Sequence, residues 1–418
     1  MSPVPFPIYD LYNPNVARVP SSQGFITFAS TSLSGASQSL VTGSTRLRTD
    51  LNSANPAAAR AGYSSHLPLL PIKLNSSFPV LDRSKGFALR VALKVNSETH
   101  GGQTSRAGFS ITLIGSDLRG IELGFWTNAV FAQNGGAAGT LFSRGEQALM
   151  NTTTSRVYEL LVVGDTYLLC ADDPGVVTSR RTVILSGAIR DYSAFQPSLG
   201  GVPYSPYITP DFLFLGDNTA SASADVNLGA VSLLMPRLGT AAADTLVATG
   251  SADILNGLAG DDLIRGGTGP DVLIGGLGQD QLEGGAADDR LIGGPGGDRF
   301  LFTSSQPFQP SLLGVDTLVD FELGSDRIVL SRSCFSQLRS RVDPTLLAPL
   351  DFTTVSTDQD AAVSDAAIVY NSVNGNLFYN PNAAASGFGT GGLFARLLAE
   401  DANPSVSLLS SAAFVITP

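Results

Sequence analysis

The chain has 418 residues, 43% hydrophobic and 15% charged, enough for two or three buried cores and too apolar for a disordered polymer. Its formal net charge of −11 excludes a nucleic-acid partner, because a phosphate backbone needs clustered Lys and Arg. Only two cysteines, Cys170 and Cys334, are present, which excludes a disulfide framework, and no apolar run approaches the roughly 20 residues of a membrane helix.

The charge is unevenly placed. Residues 1–238 carry 17 basic and 15 acidic side chains, residues 239–301 carry 3 and 10, and residues 302–418 carry 5 and 11. Cation chemistry is therefore expected in the C-terminal half. Residues 1–24 open with "MSPVPFPIYD", which has neither the basic stretch nor the apolar core of a conventional secretory leader, so export is expected to use another route.

Residues 25–238 alternate with period two between turn residues. "FALRVALKV" puts Leu89, Val91, Leu93 and Val95 on one face and Arg90 and Lys94 on the other, and "AGFSITLI", "GIELGFW", "VYELLVV", "TYLLCA", "TVILS" and "DFLFLG" are further short strands. Gly164-Asp165 marks a hairpin. The pattern predicts a two-sheet sandwich. "RAGFSITLIGSDLRGIELGFW" and "DFLFLGDNTASASADVNLGAVSLL" resemble concanavalin A-like (laminin-G-like) jelly rolls, modules that often bind glycans. Trp126, the single tryptophan, has two roles open to it, core packing or stacking on a sugar ring, and its place after "GIELGF" favours packing. His100 and Glu98 share a Gly-rich loop, where a solvated histidine is the simpler expectation. Asp217-Asn218 suits a turn or a rim cation.

Enzymatic motifs are missing. There is no HExxH and no GxSxG, and "GIELGFW" offers Glu122 alone where a glycosidase needs paired carboxylates. An enzyme acting on an extracellular polysaccharide, with the sandwich as its catalytic domain, stays as the alternative to a binding module.

Residues 239–301 repeat every nine residues without a gap. Asp244, Asp253, Asp262, Asp271, Asp280, Asp289 and Asp298 keep this step, each followed two residues later by Leu246, Leu255, Ile264, Leu273, Leu282, Leu291 or Phe300. Before the aspartates runs GGxGxD, complete in "GGTGPD", "GGLGQD" and "GGPGGD" and degraded in "GLAGDD" and "GGAADD". Glycines permit positive φ and close backbone approach, so each unit is a tight turn whose carbonyls and carboxylate can face one cation. Two turns and two short strands make an 18-residue coil, with alternate turns stacked on one edge. The candidate ligands are the turns of Asp253, Asp262, Asp271, Asp280, Asp289 and Asp298, with Gly257, Gly266, Gly267, Gly269, Gly275, Gly276, Gly278, Gly284, Gly285, Gly293, Gly294 and Gly296.

These units resemble RTX (hemolysin-type) repeats. The resemblance implies an all-β chain in which a right-handed parallel β-roll follows the jelly roll. It also implies Ca²⁺ between turns two units apart, at most five ions and three or four expected. Extracellular modules bind calcium at about 10⁻⁴–10⁻³ M, so the roll is expected to fold outside the cell.

Residues 302–418 form the expected cap. "VDTLVDFELGSDRIVLS" resembles the stretch that closes the roll in serralysin-like proteins, and Asp316, Asp320 and Asp326 are open to a further calcium or to solvation. Asn374-Gly375 marks another hairpin. The tail "SSAAFVITP" reads as an apolar strand, and the resemblance makes it part of an uncleaved address for a type I exporter. The expected partners are calcium, that exporter and an extracellular polysaccharide.

Overall fold

Period-two alternation shapes the first of two compact units, Pro7–Met235. The computed structural model describes residues 8–30, 36–49, 61–67, 70–100, 102, 104–134, 143–172, 181–193, 206–217, 219, 222–249, 252–339, 347–398 and 409–418. Along Phe87–Thr99 the side chains of Leu89, Val91, Leu93 and Val95 enter the core, while Arg90 turns to the opposite face and pairs with Glu159 of the neighbouring strand.

One sheet runs, in spatial order, Arg181–Ala188, Thr166–Asp172, Arg156–Val163, Phe87–Thr99, Ser223–Leu234, Ser44–Arg48 and Ser37–Val41. The other runs Ser143–Leu149, Ala129–Asn134, Arg119–Phe125, Ser110–Ile114, Phe212–Asp217, Ala61–Ser64 and Thr27–Ser30. Neighbouring strands are antiparallel throughout. Ile111, Leu113 and Leu123 of the second sheet share one core with Leu89 and Val91 of the first, which makes the unit a sandwich. Gly164 takes φ 54° in the expected hairpin between Arg156–Val163 and Thr166–Asp172. Ile8–Tyr12, ahead of residue 25, pairs with Ser223–Leu234 and buries Leu11 and Tyr12 in that core.

The second unit contains Pro236–Pro418 and is built on the nine-residue period. Arg237–Leu238, Ile254–Ala259, Val272–Leu277, Arg290–Ile292 and Asp316–Leu318 stack parallel on one side, and Thr245–Val247, Leu263–Gly267, Gln281–Gly285, Arg299–Phe302 and Arg327–Ser331 on the other. The aliphatic of every repeat points inward. Leu255, Leu273, Leu291 and Leu318 stand in register on one side, and Leu246, Ile264, Leu282, Phe300 and Ile328 on the other, all buried. Such a coil buries little by itself, and each addition extends a continuous apolar column.

The two sheets do not stop at residue 301. Gly392–Leu397 adds parallel to Asp316–Leu318, bringing Leu397 beneath Leu318, and Phe414–Thr417 adds parallel to Arg327–Ser331, bringing Phe414 beneath Ile328. The hairpin Ile368–Asn371 with Asn376–Tyr379 packs beside Gly392–Leu397, its turn closed by Gly375 at φ 75°. Phe308, Phe335, Tyr379 and Phe394 continue the apolar column as mutually contacting rings.

Candidate metal centre

The aspartates of the roll form two ladders, one on each edge. The backbone N–H of Asp244, Asp253, Asp262, Asp271 and Asp280 each donates to Oδ1 of the aspartate eighteen residues further on, at 2.7–2.8 Å. One carboxylate oxygen is thereby spent on holding successive coils together. The second oxygen behaves differently along the stack. At Asp244 and Asp253 the turn itself uses it, since Oδ2 accepts from the N–H of Thr240 at 2.6 Å and of Thr249 at 3.0 Å. At Asp262, Asp280, Asp289 and Asp298 the buried Oδ2 finds no hydrogen-bond partner among the described residues.

These oxygens face the first glycine of each turn. A Cβ placed on Gly257 would lie 2.0 Å from Asp262 Oδ2 and 2.7 Å from the carbonyl oxygen of Gly275. On Gly266 it would lie 2.7 Å from Asp271 Oδ2 and 2.5 Å from Gly284 O, and on Gly275 2.4 Å from Asp280 Oδ2 and 2.6 Å from Gly293 O. Gly293 faces Asp298 Oδ2 at 2.3 Å. Gly257, Gly266 and Gly275 thus each leave a cradle where oxygens of two successive coils converge, the donor chemistry of a hard divalent cation.

The other glycines have different work. Gly267, Gly276, Gly285 and Gly294, second in their turns, adopt φ between 91° and 110°. Gly278 and Gly296 form a parallel backbone bridge so close that a Cβ on Gly296 would meet Gly278 O at 1.6 Å. Gly269 is buried in its turn. Among the predicted ligands, the first glycines and the aspartates come together; the remaining glycines shape the turn.

The electrostatics agree with an anion-rich cradle. Burial, opposed by the ladder hydrogen bond and reinforced by neighbouring carboxylates, raises Asp280 to about 6 and Asp298 to about 7. Burial, reinforced by the Asp316 carboxylate beside it, pushes the Asp289 carboxyl well above the usual carboxylate range.

Asp316, Asp320 and Asp326, which the sequence left open to a calcium or to solvation, all accept backbone N–H groups of the roll, contacts that the spacing did not foretell. Asp316 Oδ1 accepts the N–H of Asp289, and Asp326 Oδ1 that of Asp298, so both continue the ladders. Strict counting in nines places residue 316 two repeats beyond Asp298, yet it stacks on the opposite edge over Asp289, because residues 303–315, including the short helix Pro310–Leu313, leave the coil. Asp320 accepts from the N–H groups of Gly293 and Gly294, both at 2.8 Å. The doublets Asp261-Asp262 and Asp288-Asp289 carried a signal: Asp261 accepts from Gln279 N–H and Asp288 from Val315 N–H, an outer row of clasps.

The candidates of the sandwich are engaged with one another. Trp126 is half-buried outside the main core, donating through Nε1 to Arg106 O at 2.7 Å. His100 stacks on the indole at 4.1 Å, and the Arg144 guanidinium lies 3.6 Å from its centre. His100 is not simply solvated, since Nδ1 also meets Glu98 at 2.9 Å. Burial pushes the Glu98 carboxyl up, against the pull of His100. Glu122 is buried and accepts from the Tyr207 hydroxyl. Asp217 is buried and accepts from Thr219 N–H at 2.9 Å, the turn role; Asn218 lies outside the described residues.

Residues 238–273 and 265–300 match the family model of the RTX calcium-binding nonapeptide repeat. Residues 238–300 are RTX repeats. Calcium is accordingly the cation of the RTX roll, and the chemistry of its cradles fits that ion. No curated protein matches the sequence. Solved structures similar to the chain include a carbohydrate esterase from the Shiga toxin-encoding bacteriophage phi24B, at 11% identity over 51% of this chain and 91% of that one, TM-score 0.31. They also include alginate lyase A1-II′ of polysaccharide lyase family 7, at 10% identity over 55% and 94%, TM-score 0.30. The exoplasmic domain of VIP36, solved with Ca²⁺ and Man3GlcNAc, matches at 11% identity over 54% and 89%, TM-score 0.32.

Proposed function

We propose that this chain is a secreted calcium-binding protein whose RTX roll takes its fold when calcium binds after export, and whose sandwich contacts extracellular polysaccharide. The observation that carries the first part is the row of buried Asp Oδ2 atoms without a hydrogen-bond partner among the described residues, at Asp262, Asp280, Asp289 and Asp298. A buried, uncompensated carboxylate costs several kcal/mol, about as much as a short coil gains from its inward aliphatics. Calcium, when bound, supplies the missing positive charge. The cradles at Gly257, Gly266 and Gly275 each offer a carboxylate and a carbonyl oxygen from successive coils and would hold three ions.

At low calcium the roll would be an open acidic chain, suited to passage through a type I exporter with the C-terminal end as the address. The glycan role of the sandwich rests on the sequence resemblance of its strands. Trp126, covered by His100 and Arg144, is not its sugar platform in this conformation.

Calcium titration of the full chain, followed by circular dichroism and by amide exchange over residues 252–302, tests the reading. A cooperative gain of β signal and protection near 10⁻⁴–10⁻³ M is expected, roughly the range of extracellular calcium modules, with magnesium as the ineffective control. An equal response to magnesium, or none to calcium, would overturn it.

A further inference from the structure

We propose that the sandwich holds a binding site for a carboxylated sugar, in which the Arg144 guanidinium reads the carboxylate and Gln133 accepts from a hydroxyl. This rests on the reading of the sandwich as a polysaccharide-binding unit and names the class of polymer it takes.

The site lies on the second sheet of the sandwich, on the face turned away from the shared core. Ile111, Leu113, Leu123 and Ala132 point into that core, so the residues between them point outward. Arg144 pairs with Gln133, Leu123 with Ala132 and Thr112 with Glu122, which lines up Arg144, Gln133, Glu122 and Thr112 across four neighbouring strands. Glu122 accepts from the Tyr207 hydroxyl. The other three carry buried polar atoms without a hydrogen-bond partner among the described residues: Arg144 Nε and Nη2, Gln133 Oε1 and Thr112 Oγ1. Gln133 is 2% exposed, and its Nε2 donates to Ser105 O at 2.6 Å, which fixes the amide and leaves Oε1 as the unpaired acceptor. A face that served packing alone would have such atoms paired or replaced.

Nε and Nη2 form the edge of a guanidinium that matches the two oxygens of a carboxylate. Arg46 shows the match in this chain, placing the same two atoms on Oδ1 and Oδ2 of Asp225. In Arg144 that edge is unpaired, and Nη1 donates to Gln147 Oε1 at 2.8 Å. Glu98 does not fill it, because its carboxylate meets His100 Nδ1 at 2.9 Å. The Arg144 guanidinium rests over the rings of Trp126 and Phe131, 3.6 and 4.5 Å from their centres. Such a contact is worth about 0.5–2 kcal/mol and satisfies no N–H group, whereas a charge-assisted bidentate pair satisfies two. A sugar carboxylate therefore draws the guanidinium off the indole, and the ring face it covered is released for stacking. Residues 1–238, with 17 basic and 15 acidic side chains, do not repel an anionic ligand as the acidic C-terminal half would.

The test is calorimetric titration of the full chain in calcium, with Trp126 fluorescence followed in parallel. The probes are uronate trisaccharides (galacturonate and mannuronate), their methyl esters, and maltotriose. A uronate is expected to bind and to shift the emission, and the esters and maltotriose to bind at least about tenfold more weakly. Arg144→Lys keeps the charge and loses the fork; it is expected to weaken the uronate about tenfold and leave the ester unchanged. Equal binding of a uronate and its ester overturns the site while leaving the polysaccharide reading in place, and it decides the matter even where Arg144→Lys fails to fold. Uronate binding without a change in emission places the sugar elsewhere and overturns the site too. Failure of every probe to bind overturns the proposal and counts against the polysaccharide reading as well.

Discussion

Asp280 shows how one side chain can act in opposite directions. Its Oδ1 clasps the N–H of Asp262, a contact that an asparagine oxygen would keep, while its Oδ2 is buried and unpartnered among the described residues. Asp280→Asn should therefore weaken the calcium-loaded roll and strengthen the calcium-free one, each by about 1–3 kcal/mol, the usual range for an unsatisfied buried polar group. Amide exchange over residues 272–285, in calcium and in chelator, measures both signs. A loss in both states would mean that the carboxylate is structural only. The turn also tolerates imperfect residues at a cost. Leu258 stands where a second glycine belongs and takes φ 77°, as its glycine counterparts do. A left-handed backbone costs a leucine roughly 1–2 kcal/mol, and Leu258→Gly should return up to about 1 kcal/mol of that after the added chain entropy; the urea midpoint in calcium is the readout. At this scale the sequence was informative about which residues matter and silent about which atom does the work. GGxGxD reads as one motif, yet its first glycine makes the cradle and its second supplies the φ.

Elements were legible wherever one period governed them. Nine-residue spacing predicted each strand of the roll because every inward aliphatic obeys it, and period two predicted the long sandwich strands for the same reason. The closing of the roll was not legible, since residues 303–315 leave the coil and shift Asp316 to the other edge, a change that spacing cannot register. What covers the last glycine turn on the other edge is a side chain. Asp320 accepts two N–H groups, from Gly293 and Gly294, that a further turn would otherwise have satisfied. Asp320→Ala should cost about 1–3 kcal/mol by leaving both donors without their acceptor, and Asp320→Asn less, because an amide oxygen can still accept. The two variants are to be compared by denaturation in saturating calcium. Equal stability of Asp320→Ala and wild type would show that the coil end needs no such cover.

On the scale of the whole molecule, the two units answer to different chemistry. The roll carries calcium-binding repeats, whereas the sandwich has an ordinary apolar core and its own titrating group. His66 lies 2% exposed, with Nδ1 3.0 Å from Ser65 Oγ and its ring 5.6 Å from Phe212. Burial, with help from the Lys73 charge and against that of Asp211, lowers its pKa to about 4. An unfolded histidine titrates near 6.5, so between those values the unfolded chain binds the extra proton. Stability from this residue is therefore full above about pH 6.5 and is lost as the pH falls towards 4, by about 3 kcal/mol in all. Trp126, the only tryptophan, lies in the sandwich, so its fluorescence follows that unit alone. Urea unfolding followed at Trp126 should shift to lower denaturant from pH 7 to pH 4.5, and His66→Gln should flatten that shift. A wild-type midpoint unchanged over this range would mean that His66 is protonated in the folded state and that its burial is compensated by its neighbours.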